Sequence, residues 1–355
     1  MKKHNFSAGP SVLPQEVLKK ASEAVLNFNH SDLSLIEISH RSTDFVAVME
    51  KAQSLALELL GLENKGYSVL FLQGGASLEF LMVPYNLLKV GGKAAYLDTG
   101  TWSSKSIKEA NLFGTIDVVA SSKDKNYSYI PKGYNIPSDI DYFHCTSNNT
   151  IFGTQLKSFP KTDSLLVCDM SSDIFSRQLD FSQFDLIYAG AQKNMGPAGT
   201  TLVVVKKSIL GNTGRKIPSM LDYQVHISKD SMFNTPSVFA VYVSMLTLQW
   251  LKDLGGIAAI EKINNAKATL LYDEIDSNRL FEGVAANADR SYMNVTFTLT
   301  DDSYKDTFDR LWKEAGINGI NGHRSVGGYR ASIYNALPLE SVEVLVAIMK
   351  KLANS

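Results

Sequence analysis

The sequence predicts an α/β protein, with a mainly parallel mixed sheet in a large domain and a smaller α/β domain after it. Three observations carry that expectation. Short uninterrupted apolar runs, YSVLFL (67–72), KAAYLD (93–98), IDVVA (116–120), DYFHC (141–145), SLLVCD (164–169) and DLIYAG (185–190), alternate with helical segments. Strands that are apolar on both faces belong to sheets covered on both sides by crossover helices, and such sheets are mainly parallel. Next, only the nine residues Ala191 to Gly199 separate DLIYAG from TTLVVV (200–205). A parallel crossover needs a dozen or more residues, so TTLVVV is expected to run antiparallel to its predecessor. Finally, the pattern shifts near Gly255-Gly256. The expected division is a large domain over 14–255 and a small one over 256–355, with the arm 1–13 packing against the small one.

Taken in order, the arm contains Gly9-Pro10 and ends before Pro14, so it starts irregular. Pro14 to Asn27 places Val17, Leu18, Ala21, Ala24 and Val25 at helical spacing. The loop ISHRSTDF (38–45) precedes a helix from about Phe45 to Leu60. YSVLFL then meets QGGAS and the helical run LEFLMVPYNLL. Val238 to Leu251 is the most apolar long stretch, but Ser244, Thr247 and Gln249 interrupt it. It is too short to span a bilayer and predicts a buried helix. The small domain follows as a helix (257–275), the strand SYMNVTFTL (291–299), a helix (304–315), the segment GHRSVGGYRASIYN and a closing helix (338–352).

A chain of 355 residues is long for one core at a prior of ~150 residues per domain. With a net charge of −1, no global field favours nucleic acid or an anionic membrane. The start, MKKHNFSAGPSVLP, lacks the apolar core of a secretory signal. Cys145 and Cys168 are the two cysteines, and each falls in a predicted strand, so no disulfide framework is expected. A reducing cytoplasm is the natural compartment. None of the six histidines has metal-ligand spacing, and no metal site is expected.

The chemistry gathers where strands end. In parallel sheets, ligands bind beyond the carboxyl ends of the strands. In DLIYAGAQKNMGPAG (185–199) a buried strand delivers Lys193 to its tip ahead of a Gly/Pro loop. Alone, that lysine reads as a surface residue in a turn. On the same predicted rim, however, Asp169 ends SLLVCD, Trp102 follows YLDTGT, and Gly74-Gly75-Ala76-Ser77 opens a helix. Each has a commoner fate: helix cap, core aromatic, tight turn. Together an amine, a buried carboxylate, a flat aromatic and an anion cradle are what a pyridoxal phosphate site requires. A second cluster, GHRSVGGYR, holds His323, Arg324 and Arg330 among glycines, and His40-Arg41 repeats the His-Arg pair far away. Arginines in that setting read as anion recognition, here of a dianion together with a carboxylate.

These segments resemble one family. FSAGP (6–10), ISHRS (38–42), LQGGAS (72–77), SNNTIFGTQ (147–155), DMSSD (169–173), AGAQKNMGPAG, FNTP (233–236) and GHRSVGGYRASIYNA (322–336) are similar to the phosphoserine aminotransferases, of the class V group. One departure is Ser237, where the family commonly has proline. The resemblance implies the aspartate-aminotransferase fold (fold type I) and pyridoxal 5'-phosphate as cofactor. It implies that Lys193 bonds the cofactor and shuttles a proton. Asp169 would pair with the ring nitrogen, Trp102 would stack on the ring, and Thr150 would bond its phenolic oxygen. Ala76, Ser77 and Gln192 would hold the cofactor phosphate, with Asn234 and Thr235 from the second subunit of a homodimer. Arg330 would take the substrate α-carboxylate. His323 and Arg324, with His40 and Arg41 from across the dimer, would take the substrate phosphate.

The implied reaction is a ping-pong transamination of 3-phosphohydroxypyruvate with L-glutamate in serine biosynthesis, the amine resting on the cofactor between half-reactions. Some relatives also accept 4-phosphohydroxy-L-threonine, of pyridoxine biosynthesis. A cysteine desulfurase fits poorly, because it needs an exposed mobile cysteine. A non-catalytic anion-binding protein explains the arginines but not a lysine and an aspartate on one rim.

Overall fold

The computed structural model describes residues 3–354. A two-residue strand β1 (His4–Asn5) leads through the arm to helix α1 (Gln15–Leu26), which buries Val17, Ala21 and Ala24 on one face. Helix α2 (Thr43–Leu60) starts where the Ser42 hydroxyl accepts the Phe45 N–H and stops at left-handed Gly61. Strand β2 (Tyr67–Leu72), helix α3 (Gly75–Leu87), strand β3 (Lys93–Asp98) and helix α4 (Thr101–Ala110) follow as strand–helix units. Then come β4 (Thr115–Ser121), β5 (Tyr142–Thr146) and a small hairpin of β6 (Asn148–Asn149) and β7 (Thr154–Gln155). Strands β8 (Leu165–Asp169) and β9 (Leu186–Gly190) are buried, apart from the partly covered Leu165. Beyond them lie the one-turn helix α5 (Ala191–Asn194), β10 (Thr201–Lys206), α6 (Tyr223–Ile227), and α7 (Val238–Asp253). The remainder is α8 (Gly256–Ser277), β11 (Phe281–Gly283), β12 (Asn294–Leu299), α9 (Lys305–Glu314), β13 (Ile317–Asn318), β14 (Tyr329–Ser332) and α10 (Leu339–Ala353).

Seven strands form the central sheet in the order β2-β10-β9-β8-β5-β3-β4. All its pairs are parallel except those of β10, which runs antiparallel to both β9 and β2. The short connection after Gly190 therefore reverses the chain, as its length requires. Thr201 pairs with Gly190 on one side and Leu72 on the other, which sets the ends of β9 and β2 level on one rim. Apolar clusters cover both faces of this sheet.

A separate apolar cluster joins α8, α9, α10 and the antiparallel sheet β11-β12-β14, and Phe6 of the arm lies within it. Strand β1 pairs parallel to β13, so the arm is tied to the chain's last third. The strand expected from Ser291 begins only at Asn294, because the Ser291 hydroxyl accepts the N–H groups of Met293 and Asn294 and holds that stretch in a turn. Cys145 and Cys168 are free, buried and directly paired across β5 and β8. No helix among the described residues is long and apolar enough to cross a membrane.

Candidate active site

Segments far apart in sequence converge beyond the carboxyl ends of β2, β3, β8 and β9, around a cavity of about 290 Å³. Its lining includes Ala76, Ser77, Trp102, Thr150, Asp169, Gln192, Lys193, His323 and Arg330. Each of these side chains arrives there for a local reason.

Asp169 is the last residue of β8 and only 5% exposed. The Ser171 N–H and hydroxyl both donate to its Oδ1, at 2.9 and 2.6 Å. The same hydroxyl accepts the N–H of Gly190, at the end of β9, at 3.2 Å. The aspartate is thus oriented by the backbone that leads to Lys193. Burial pushes its carboxyl pKa up, while the Lys193 charge and the Ser171 hydrogen bonds oppose that rise.

Lys193 does not sit at the strand tip, as its position after DLIYAG suggests. Gly190 ends β9, and Lys193 falls in the single turn of α5. Its amine makes no hydrogen bond or ion pair among the described residues and lies 5.5 Å from the centre of the Trp102 ring. Burial lowers its pKa, Asp169 resists, and Arg330 adds to the lowering. The arm reaches across to hold this turn. Ser11 donates its hydroxyl to the Lys193 carbonyl and its N–H to the Gln192 carbonyl. A Cβ on Gly9 would lie 3.4 Å from Lys193 Cγ, so the arm packs directly on the lysine stem.

Trp102 stands in the first turn of α4. That turn is anchored by buried Asp98, which accepts hydroxyl hydrogen bonds from Ser103, Ser104, Ser121 and Tyr127. The indole N–H donates to Thr150 Oγ1 at 3.1 Å, fixing both groups on one wall. Ala76 and Ser77 open α3, whose first turn has no side-chain cap. The entry needs glycine at 74: φ is +98°, and a Cβ there would lie 2.4 Å from Leu78 Cδ2. Free N–H groups at such a helix start attract an anion.

Arg330, on β14, donates to the Thr150 carbonyl at 3.3 Å, and its Nε is buried with no partner among the described residues. His323 Nδ1 and Ser325 Oγ lie 2.7 Å apart; burial, then the charges of Arg330, Arg324 and Lys105, lower the imidazole pKa. Among the described lining residues, Arg330 and Lys193 face the single acid Asp169, and His323 adds a neutral hydrogen-bonding imidazole. The wall therefore favours an anionic occupant. An uncapped helix start, a partnerless amine, an indole face and an oriented buried carboxylate fit pyridoxal phosphate by charge and by donor set.

Five anticipated residues do not line this cavity: His40, Arg41, Arg324, Asn234 and Thr235. Arg324 is exposed beside His323, and Arg41 is exposed. His40 is buried, and its Nε2 has no hydrogen-bond partner among the described residues. Asn234 donates to Gln73 Oε1 at 3.2 Å, and Gln73 donates to the Thr235 carbonyl at 2.6 Å, which ties that loop to the turn before α3. Ser171, Ser11 and Gly9 were not anticipated. A serine two residues after a strand-terminal aspartate is a local signal that could have found Ser171. Nothing near Ser11 in sequence points to Lys193.

The chain matches the aminotransferase class-V family model over residues 3–345. It is 73% identical over 352 residues to a phosphoserine aminotransferase of Flavobacterium johnsoniae, covering 99% of each chain. Among solved structures, it superposes with a TM-score of 0.96, at 47% identity, on a phosphoserine aminotransferase studied for radiation damage of its Schiff base, covering 100% of this chain and 99% of that one. The PLP-bound phosphoserine aminotransferase of Trichomonas vaginalis matches with a TM-score of 0.93, at 34% identity, covering 98% of this chain and 100% of that one.

Proposed function

Since the chain belongs to the class-V aminotransferases, and within them to the phosphoserine aminotransferases, we propose that it catalyses their reversible transamination. L-Glutamate and 3-phosphohydroxypyruvate are converted to 2-oxoglutarate and O-phospho-L-serine, in serine biosynthesis. The observation that carries this reading is that Lys193, whose amine has no hydrogen-bond or ion-pair partner among the described residues, lines one cavity with buried Asp169 and with Arg330, whose Nε has no partner among them either.

When bound, pyridoxal phosphate supplies the carbonyl that accepts the amino group and a ring that withdraws electrons from the substrate Cα. Lys193 would hold it covalently, Asp169 would meet its ring nitrogen, Trp102 its ring face, Thr150 its phenolic oxygen. Ala76, Ser77 and Gln192 would hold its phosphate. The chain's own groups then act as follows. Burial lowers the Lys193 pKa and so raises the share of free amine able to take the α-proton. Arg330 takes the α-carboxylate and fixes which Cα bond faces that amine. His323 and Arg324 take the phosphate of one substrate and the side-chain carboxylate of the other, both being anions on a short stem.

The assembly belongs to the same reading. We place Asn234, Thr235, His40 and Arg41 in the site of a second copy, so that the working unit is a cytoplasmic homodimer. Residues 14–255 hold the cofactor, and 256–355 with the arm 1–13, of which Met1, Lys2 and Ser355 lie outside the described residues, form the smaller domain that brings Arg330 and His323 to the substrate. The test is steady-state turnover with phosphoserine, serine and 4-phosphohydroxythreonine as donors and 2-oxoglutarate as acceptor. Phosphoserine should be strongly preferred to serine. Equal rates for those two would overturn the substrate assignment, and the third donor reports whether the pocket accepts one more carbon.

A further inference from the structure

Three consecutive backbone carbonyls in the turn after Asp169 are each held by a different asparagine. Asn194 Nδ2 donates to the Ile174 carbonyl at 2.5 Å, Asn335 Nδ2 to the Phe175 carbonyl at 3.0 Å, and Asn264 Nδ2 to the Ser176 carbonyl at 3.0 Å. The three amides are also linked to one another. The Asn335 N–H donates to Asn194 Oδ1 at 2.9 Å, and Asn264 Nδ2 donates to Asn335 Oδ1 at 2.8 Å. All three side chains are buried, at 7%, 4% and 1% exposure. None of them touches the cavity.

What they join is the site's framework. Asn194 directly follows Lys193 on α5, a helix of four residues. One turn has no intrinsic stability, so its orientation has to come from outside. Asn335 lies five residues beyond Arg330, on the segment that leaves β14. Asn264 sits on α8. The carbonyls belong to the turn that follows Asp169, and within it Phe175 has φ +59°, a left-handed conformation that a bulky residue keeps only when its surroundings impose it. The segments bearing Lys193, Arg330 and Asp169 therefore meet at one hydrogen-bonded ladder behind the cavity.

We infer that Asn194, Asn335 and Asn264 are positioning residues, whose linked amides hold carbonyls 174–176 and thereby keep Lys193, Asp169 and Arg330 in register for the transamination proposed above. The inference rests on that functional reading for what the register serves. It goes beyond it in assigning the ladder a share of turnover rather than of stability alone.

The experiment compares cofactor-loaded wild type with Asn194→Ala, Asn335→Ala, the double variant and Asn264→Ala. It reads kcat and KM separately, the pH titration of the cofactor's absorbance on Lys193, and the thermal midpoint. A misplacement of about 1 Å at a reacting group costs about 10²-fold in rate. Asn194→Ala should lose about 10²-fold in kcat, with KM changed by less than about threefold. The absorbance midpoint should shift, and the double variant should lose little more than the worse single one. Asn194→Asp keeps the acceptor for the Asn335 N–H but sets an oxygen against the Ile174 carbonyl, so it should recover only part of kcat. If Asn194→Ala does not fold, Asn335→Ala and Asn264→Ala decide, with smaller losses in the same direction. Loaded variants with wild-type kcat and absorbance titration, and only a lower thermal midpoint, would overturn the inference. If wild type itself turned over no donor, the functional reading would fail, and the absorbance titration would still judge the ladder.

Discussion

Asp169 and Lys193 line one cavity, and each opposes the shift that burial imposes on the other. The carboxylate pulls the amine pKa up, and the ammonium pulls the carboxyl pKa down. Asp169→Asn removes the first of these pulls while keeping the hydrogen-bonding shape. In the cofactor-free protein, the pH midpoint for modification of Lys193 by a small amine reagent should therefore move to lower pH. Turnover should fall together with it, since the ring nitrogen loses its counter-charge. A midpoint that stayed or moved upward would show that the two groups do not interact.

Arg324 and Arg330 are assigned different anions, and their variants should separate. Losing a charge-assisted hydrogen bond removes about 1.5–3 kcal/mol, or roughly 10- to 100-fold in kcat/KM. Arg324→Ala should lose that much with phosphoserine and with glutamate, and little with serine, whose side chain carries no anion. Arg330→Ala should weaken every donor alike, because all carry the α-carboxylate. Steady-state kinetics with paired donors measure this, and equal losses for Arg324→Ala would make that arginine structural.

Asn234 and Thr235 lie outside the cavity of their own chain, on a loop tied to Gln73. If they complete a second copy's site, specific activity should fall on dilution in step with dissociation followed by analytical ultracentrifugation. Mixing two inactive variants, Lys193→Ala and Thr235→Arg, should restore part of the activity, since a hybrid dimer holds one intact site. A fully active monomer contradicts the shared site.

Glu79, on α3, is fully buried and accepts the Tyr223 hydroxyl at 2.5 Å. Burial pushes its carboxyl from 4.5 to about 8, Tyr223 opposing and Asp169 adding to the rise. The folded chain thus keeps a proton that the unfolded chain releases between those values. Stability from this group is complete below about pH 4.5 and is lost as pH rises towards 8. The slope is at most about 1.4 kcal/mol per pH unit. Glu79→Gln removes it, so the variant should gain stability relative to wild type from pH 5 to pH 8 in denaturant titrations. Parallel curves would show that Glu79 does not titrate in this window.

Much of the architecture was legible locally. Strands β2, β3, β8 and β9 announce themselves because burial on both faces leaves unbroken apolar runs, and the reversal at β10 follows from counting residues between Gly190 and Thr200. The small sheet was harder to read. Strand β14 lies in GHRSVGGYRASIYN, where glycines and charges hide any alternation, and β11 is three residues long. The arm's pairing of His4–Asn5 with Ile317–Asn318 has no local signal, since two residues carry no period.

The site divides in the same way. Sequence alone determined which chemical groups were available at which strand ends, namely the amine of Lys193, the carboxylate of Asp169 and the indole of Trp102, and it marked the arginines of the GHRSVGGYR segment by their setting among glycines. Those assignments depend on residue type and on where an apolar run stops, both local properties. Only the tertiary structure decided that Lys193 rides one turn beyond its strand, clamped by Ser11 of the arm, or that Ser171 couples Asp169 to Gly190. It alone showed that three asparagines from separate elements meet on one turn. Such arrangements arise when buried polar groups must find partners wherever packing brings the chain together, at separations that no sequence window spans.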